Sequence, residues 1–272
     1  MTTEGFVQLR AGRFRSLTWG QGDETVLFLH GLTGVAEVWG PTISHLGQHR
    51  RYVALDQRGH GQSPSGHELD YSARAFVRDM EQLLNELGGR IHLVGHSMGA
   101  RVALLMAGRH PDALGSTTIV DIGPEASRKN INDTVRGLAG RPERFANRDE
   151  ALGFAFRSRR PTPADEAIFL ARLAVQPDGS YTWRSPAEVL AQCVTKQRGR
   201  GYWAEWRSIK GPAMFVHGGT SAEVSVGIAD GMCTSNPGVR FERLAGVGHN
   251  IPLIAPEALA ALLEDFWRSV AG

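Results

Sequence analysis

Apolar and polar residues alternate with period two at Phe6–Leu9 and again at Phe14–Trp19, with Ala11-Gly12 between them. That pattern predicts an antiparallel hairpin with one covered face. Thr25–Leu29 is a continuous apolar run, as expected of a strand covered on both faces. Further on, strand-like runs at Tyr52–Leu55, Ile91–Val94 and Ser116–Val120 alternate with helix-like stretches at Ala73–Leu87 and Met98–Gly108. Strands that alternate with helices in this way predict a mostly parallel sheet flanked by helices.

The alternation stops after Gly123-Pro124. Residues 125–208 keep a helical periodicity but contain no run that reads as a buried strand. The strand-helix rhythm resumes at Ala213–His217, with a helix near 222–233, a strand at Val239–Leu244 and a closing amphipathic helix from Pro256 to about Val270. The predicted class is α/β, with a core formed by 1–124 and 209–272 and a helical lid, 125–208, inserted between the sixth and seventh strands. No internal repeat or low-complexity tract interrupts it.

Composition narrows the class of function. A chain of 272 residues suits one elaborated domain. A net charge of +2 is too balanced for a nucleic-acid partner. The two cysteines, Cys193 and Cys233, lack metal-ligand or CxxC spacing and read as reduced and structural. There is no basic-then-apolar leader, and no apolar run approaches about 18 residues, the length a membrane span needs. A cytoplasmic monomer or homodimer acting on a small molecule is expected, with no membrane or nucleic-acid partner. The histidines and acids form no ligand cluster, so neither metal nor organic cofactor is expected.

The candidate chemistry centres on Gly95-His96-Ser97-Met98-Gly99, between a predicted strand and a predicted helix. A Gly-x-Ser-x-Gly in that setting makes a sharp turn that lifts a serine hydroxyl clear of its own backbone. Ser97 is the candidate nucleophile. His30-Gly31-Leu32-Thr33-Gly34 ends an earlier strand, and the Leu32 amide, with that of Met98, would face a developing oxyanion. Of ten histidines, His249 stands out by its glycine-rich approach, Gly246-Val247-Gly248, between the last strand and the last helix. It is the candidate general base, since an imidazole titrates near neutral pH. His45, His49, His60, His67, His110 and His217 read as surface or turn residues, and His96 has no evident proton-transfer role. Asp56 and Arg58 are expected to fix their loop by a charge-assisted hydrogen bond. Trp39, Trp183, Tyr202, Trp203 and Trp206 read first as packing residues.

These residues together give a resemblance to the α/β-hydrolase superfamily, covering nearly the whole chain through His30-Gly31, Asp56-x-Arg58-Gly59-x-Gly61-x-Ser63, Gly95-x-Ser97-x-Gly99 and Gly248-His249. The resemblance implies a serine hydrolase of the carboxylesterase, amidase or C–C hydrolase kind, with a Ser-His-Asp triad. Most members carry the acid just after the seventh strand as Gly-x-x-Asp, where this chain has Ser221, and a serine cannot hold an imidazolium by charge. Asp121, at the end of the sixth strand, and Glu223, two residues past the usual site, remain. Asp121 is preferred because a strand end is rigid.

An acid in that displaced position is similar to the pattern of acetamidomethylene-succinate hydrolases, zearalenone lactonases and cofactor-free quinaldine dioxygenases. In the first of these, lid arginines hold substrate carboxylates, and Arg136 and Arg157 stand at comparable places, which implies a small substrate bearing carboxylate or aromatic parts. The resemblance also leaves open a cofactor-free dioxygenase, in which Ser97 is dispensable, and a ligand-sensing receptor that keeps the triad.

Overall fold

A computed structural model of the protein describes residues 2–126, 128–198 and 201–270. Eight strands form the main sheet: β1 (Thr2–Leu9), β2 (Gly12–Trp19), β3 (Thr25–Leu29), β4 (Arg51–Leu55), β5 (Ile91–His96), β6 (Leu114–Val120), β10 (Ala213–Gly218) and β11 (Arg240–Leu244). Their spatial order is β1-β2-β4-β3-β5-β6-β10-β11. The pairs β1–β2 and β2–β4 are antiparallel; the others are parallel. Every residue of β3, β5, β6 and β10 is buried, which explains why these strands show no alternation of apolar and charged residues. At the free edge β1 is largely exposed, so Thr2–Gly5 carry no hydrophobic signal and the hairpin is longer than its alternating part.

Helices cover both faces of the sheet. On one side α2 (Ala73–Leu87), α3 (Met98–Arg109) and α9 (Val226–Ser235) pack on Leu27, Leu93, Ile119 and Phe215. On the other, α1 (Gly40–Ile43), the short α10 (Ile251–Ile254) and the long α11 (Pro256–Val270) pack on Val26, Phe28, Val94 and Val216 through Ile43, Ile251, Leu263, Phe266 and Trp267. Each fully buried apolar side chain of this kind contributes roughly 1.5–3 kcal/mol. No helix among the described residues is long and apolar enough to cross a membrane.

Between β6 and β10 the chain forms α4 (Arg128–Ala139), α5 (Arg148–Ala155), α6 (Pro163–Ala171), α7 (Ala187–Arg198) and α8 (Trp203–Arg207). Three short strands, β7 (Arg144–Phe145), β8 (Leu173–Val175) and β9 (Tyr181–Trp183), make a separate antiparallel sheet here. At two or three residues each they are too short to show a periodicity, which is why the sequence shows only helices. Phe145, Phe154, Phe169 and Trp183 pack edge-on or tilted, with ring centroids 5.4–6.2 Å apart, as a local core. Trp39 lies against Phe28, and Trp206 against Phe215 with its Nε1–H donated to the Met232 carbonyl, so these aromatics are packing residues.

The loop after β4 is tied differently from the sequence expectation. The Asp56 carboxylate, wholly buried, accepts from the Ala36 and Gln62 amides and pairs with Arg15 of β2, while Arg58 pairs with Asp79 of α2. Asp56 and Arg58 therefore stabilise the loop against separate elements, because each reaches a buried partner of opposite charge. Asp56→Ala is expected to lower stability by about 3–5 kcal/mol, since it strands the buried donors. Glu4→Ala, which removes an exposed partner of the same Arg15, should cost less than about 1 kcal/mol. Urea unfolding of the two variants checks the contrast.

Candidate active site

The adjacent strands β3, β5 and β6 end side by side at the carboxyl edge of the sheet. Three non-glycine residues among those described have φ in the left-handed region, and they sit at these three ends: Thr33 (64°), Ser97 (53°) and Asp121 (50°). Such conformations cost about 1–3 kcal/mol each and persist only where packing enforces them. Around Ser97 the enforcement comes from contacts that leave no room for a side chain. A Cβ on Gly95 would lie 2.3 Å from the Gly99 carbonyl oxygen, and one on Gly99 would lie 2.3 Å from that of Leu29. The Ser97 amide donates to the Val120 carbonyl at 2.9 Å and the Gly99 amide to that of His30 at 3.1 Å, fixing the bend to both neighbouring strands.

Ser97 Oγ is 3.0 Å from His249 Nε2, and His249 Nδ1 is 2.7 Å from Asp121 Oδ2. Asp121 is fully buried and accepts two further hydrogen bonds, from the Gly218 amide at 2.7 Å and from the Ser221 hydroxyl at 2.5 Å. A carboxylate that accepts at Nδ1 keeps the proton on that nitrogen and leaves Nε2 free to accept from the serine. His249 comes from a loop that crosses the end of β10: a Cβ on Gly218 would stand 2.7 Å from the Gly248 carbonyl oxygen. Glu223, the other carboxylate considered, pairs with Arg198 at 3.3 Å instead of meeting the imidazole.

Leu32 follows β3 and Met98 follows Ser97, and the amides of both lack a hydrogen-bond acceptor among the described residues. Both residues line one narrow space of about 10 Å³ with Arg101, Cys193, Val194, Gln197 and Arg198.

Three histidines that the sequence leaves on the surface or without a role, His60, His96 and His217, are buried here, as is His30. His96 Nε2–H donates to the His249 carbonyl at 2.9 Å, holding the loop that carries the imidazole. Burial pushes its pKa down to about 3. His30 and His60 are also wholly buried, and burial lowers them to about 4 and about 3. His30 donates from Nδ1 to the Gly31 carbonyl and accepts at Nε2 from the Gln57 amide, so it is neutral. His217 lies inside β10, donating to Val224 and accepting from Arg243. None of these contacts leaves a local signature in the sequence.

The two arginines singled out for substrate carboxylates are not brought to this edge. Arg136 is 80% exposed and pairs with Asp133, because the apolar face of α4, with Val135 and Leu138, packs on Leu190 and Val194 of α7 and turns its polar face outward. Arg157 is exposed and lies over the Phe154 ring. Among the described residues no group of three or more histidine, cysteine or acidic side chains is arranged to hold a metal ion.

Comparison with known proteins agrees with this architecture. A family model of the alpha/beta hydrolase fold matches residues 24–256. The 2-(acetamidomethylene)succinate hydrolase of Mesorhizobium japonicum is 27% identical over 244 residues, covering 89% of this chain and 87% of that protein. An sn-1-specific diacylglycerol lipase of Mus musculus is 29% identical, covering 90% of this chain and 82% of that protein. The crystal structure of an E-2-(acetamidomethylene)succinate hydrolase superposes with a TM-score of 0.87 at 23% identity, over 98% of this chain and 99% of that one. That last likeness is one of fold.

The burial of His30, His60 and His96 has a direct readout. Their imidazole NMR signals should keep the neutral form from pH 8 to pH 5, because each folded-state pKa lies below the ordinary value of 6.5. A titration midpoint near 6.5 for any of them would contradict this burial.

Proposed function

This chain belongs to the α/β-hydrolase family, and we propose that it is a serine hydrolase cleaving an ester, amide or related carbonyl bond of a small carboxylate-bearing or aromatic-derived molecule. Ser97 is the nucleophile, His249 the general base and Asp121 the acid that orients it. The observation that carries the reading is the unbroken line from Asp121 Oδ2 through His249 to Ser97 Oγ, with steps of 2.7 and 3.0 Å.

The chemistry runs along that line. The Ser97 hydroxyl adds to the substrate carbonyl carbon while His249 Nε2 takes its proton. The resulting oxyanion is met by the Leu32 and Met98 amides, each such donor contributing roughly 3 kcal/mol to the transition state. The intermediate collapses as His249 returns the proton to the leaving group, giving an acyl-Ser97 ester. Water, deprotonated by the same imidazole, adds to that ester, and loss of Ser97 releases the acid. Asp121 stays ionised throughout, since its charge is what favours the imidazolium. The insertion 125–208 acts as a lid over this edge of the sheet, and its α7 forms a wall of the narrow space beside Met98.

Two substitutions test the assignment on a 4-nitrophenyl ester. Ser97→Ala should lower kcat by at least about 10³-fold while the unfolding midpoint is kept. Normal turnover would refute the covalent route, and oxygen consumption that survives Ser97→Ala would mark a dioxygenase instead. Asp121→Ala should cost about 10³- to 10⁴-fold, and Glu223→Ala far less. The opposite order would move the acid to Glu223.

A further inference from the structure

Of the three residues in the Asp121–His249–Ser97 line, His249 has the loosest backbone. The Ser97 amide is tied to the Val120 carbonyl and the Asp121 amide to that of Val216, each at 2.9 Å, so both residues are fastened to neighbouring strands. His249 instead lies in the loop between β11 and α10. There the Thr220 amide donates to the Val247 carbonyl at 3.0 Å, and the Ile251 amide to the His249 carbonyl at 2.8 Å. Those bonds join the loop to the turn after β10 and to its own following helix. Among the described residues, one hydrogen bond runs from the His249 backbone to the centre of the sheet, and its donor is the His96 imidazole.

His96 is built to hold that bond. It is the last residue of β5, paired in register with Val120 of β6, and it is buried. Its partner at 2.9 Å is a carbonyl oxygen, so Nε2 carries the proton and Nδ1 is bare. The other edge of the ring backs on the loop after β3: a Cβ on Gly31 would lie 3.0 Å from His96 Nδ1 and 3.1 Å from Ser97 Cβ. The ring is therefore wedged between the loop that carries His249 and the loop that carries Leu32. Its centroid is 4.8 Å from that of the His249 ring, with the planes tilted by 40°. Burial, helped by the His249 imidazole, keeps His96 uncharged down to a pKa of about 3. A neutral donor at this distance does not oppose an imidazolium on His249, as a charged one would.

We propose that His96 is a positioning residue for the reaction: by holding the His249 carbonyl it fixes where the His249 ring stands over Ser97, and so sets the rate of proton removal without touching the substrate. The inference rests on His249 being the general base to Ser97. Proton transfer across the 3.0 Å between Oγ and Nε2 depends steeply on alignment, and a misplacement of about 1 Å can cost about 100-fold. Asp121 holds the ring at Nδ1 alone, which leaves the residue free to turn about that bond. His96 removes this freedom, because it grips the backbone of the same residue whose side chain Asp121 grips.

The test compares His96→Met, which keeps a long side chain but loses the donor, with His96→Gln, whose side-chain NH₂ can replace it. On 4-nitrophenyl butyrate His96→Met should lower kcat by at least about tenfold while KM changes by less than about threefold, and His96→Gln should recover most of the loss. A second readout needs no substrate: the His249 Nδ1–H proton, bonded to Asp121, should give a low-field NMR signal in the wild type and in His96→Gln, and lose it to exchange in His96→Met. If His96→Met fails to fold, His96→Asn, too short to reach the carbonyl, carries the same expectations. Wild-type kcat and an unchanged His249 signal in the donor-free variant would overturn the proposal. So would His96→Gln faring no better than His96→Met, or nitrogen shifts that put the His96 proton on Nδ1. A wild type that turns over no ester refutes the hydrolase reading, and the His249 signal then still decides whether His96 places the ring. Turnover through Ser97 that is indifferent to His96 leaves the hydrolase reading standing and removes the proposal.

Discussion

One buried carboxylate organises the carboxyl edge of this sheet. Asp121 lies at the end of β6 with no access to water, so each oxygen must find its donors inside the protein. It takes them from three places that are distant in sequence: the Gly218 amide at the end of β10, the Ser221 hydroxyl just beyond, and His249 from the last loop. Leaving any of these unmade would cost the desolvation of a charged group, several kcal/mol, so the positions of β10 and the last loop are coupled to Asp121. The left-handed backbone at Asp121 and Ser97 is sustained by the same arrangement, since each amide also bonds to an adjacent strand. The chemical consequence is a fixed tautomer, with Nδ1–H on the carboxylate and a free Nε2 lone pair on the serine.

The scaffold is legible in the sequence because its signals are local. Apolar runs mark the parallel strands, and Gly95, Ser97 and Gly99 mark the bend, where any larger residue at the glycines would meet backbone oxygens. Ser221 shows the limit of that reading. At the place where the resemblance puts the acid it looks like a loss, but in three dimensions its hydroxyl donates to the buried carboxylate of Asp121. His96 and His217 read as bystanders because nothing in a single sequence distinguishes a buried, neutral, hydrogen-bonded imidazole from an exposed one. The short strands β7, β8 and β9 escape notice because a period of two cannot be seen in two or three residues.

The arginines carry the same lesson in charge. Arg136 and Arg157 are legible as positions in the insertion, but α4 turns the first to solvent and the second lies exposed in the turn after α5. Arg101 is hidden inside an apolar helix, four residues past the serine and in phase with it. Its burial beside Gln197 and Arg198 of α7, nearly a hundred residues later, is something no local pattern encodes. Tertiary placement, not composition, decides which of the chain's arginines has lost its water.

Every step assigned to this site requires a serine hydroxyl made nucleophilic by its neighbour. Reaction with a fluorophosphonate, combined with peptide mapping, measures this most directly. The expected result is a single phosphonyl adduct on Ser97, formed in the wild-type protein and slowed by at least about 10³-fold in His249→Ala. An adduct on another residue, or labelling of Ser97 at an undiminished rate without His249, would contradict the assignment.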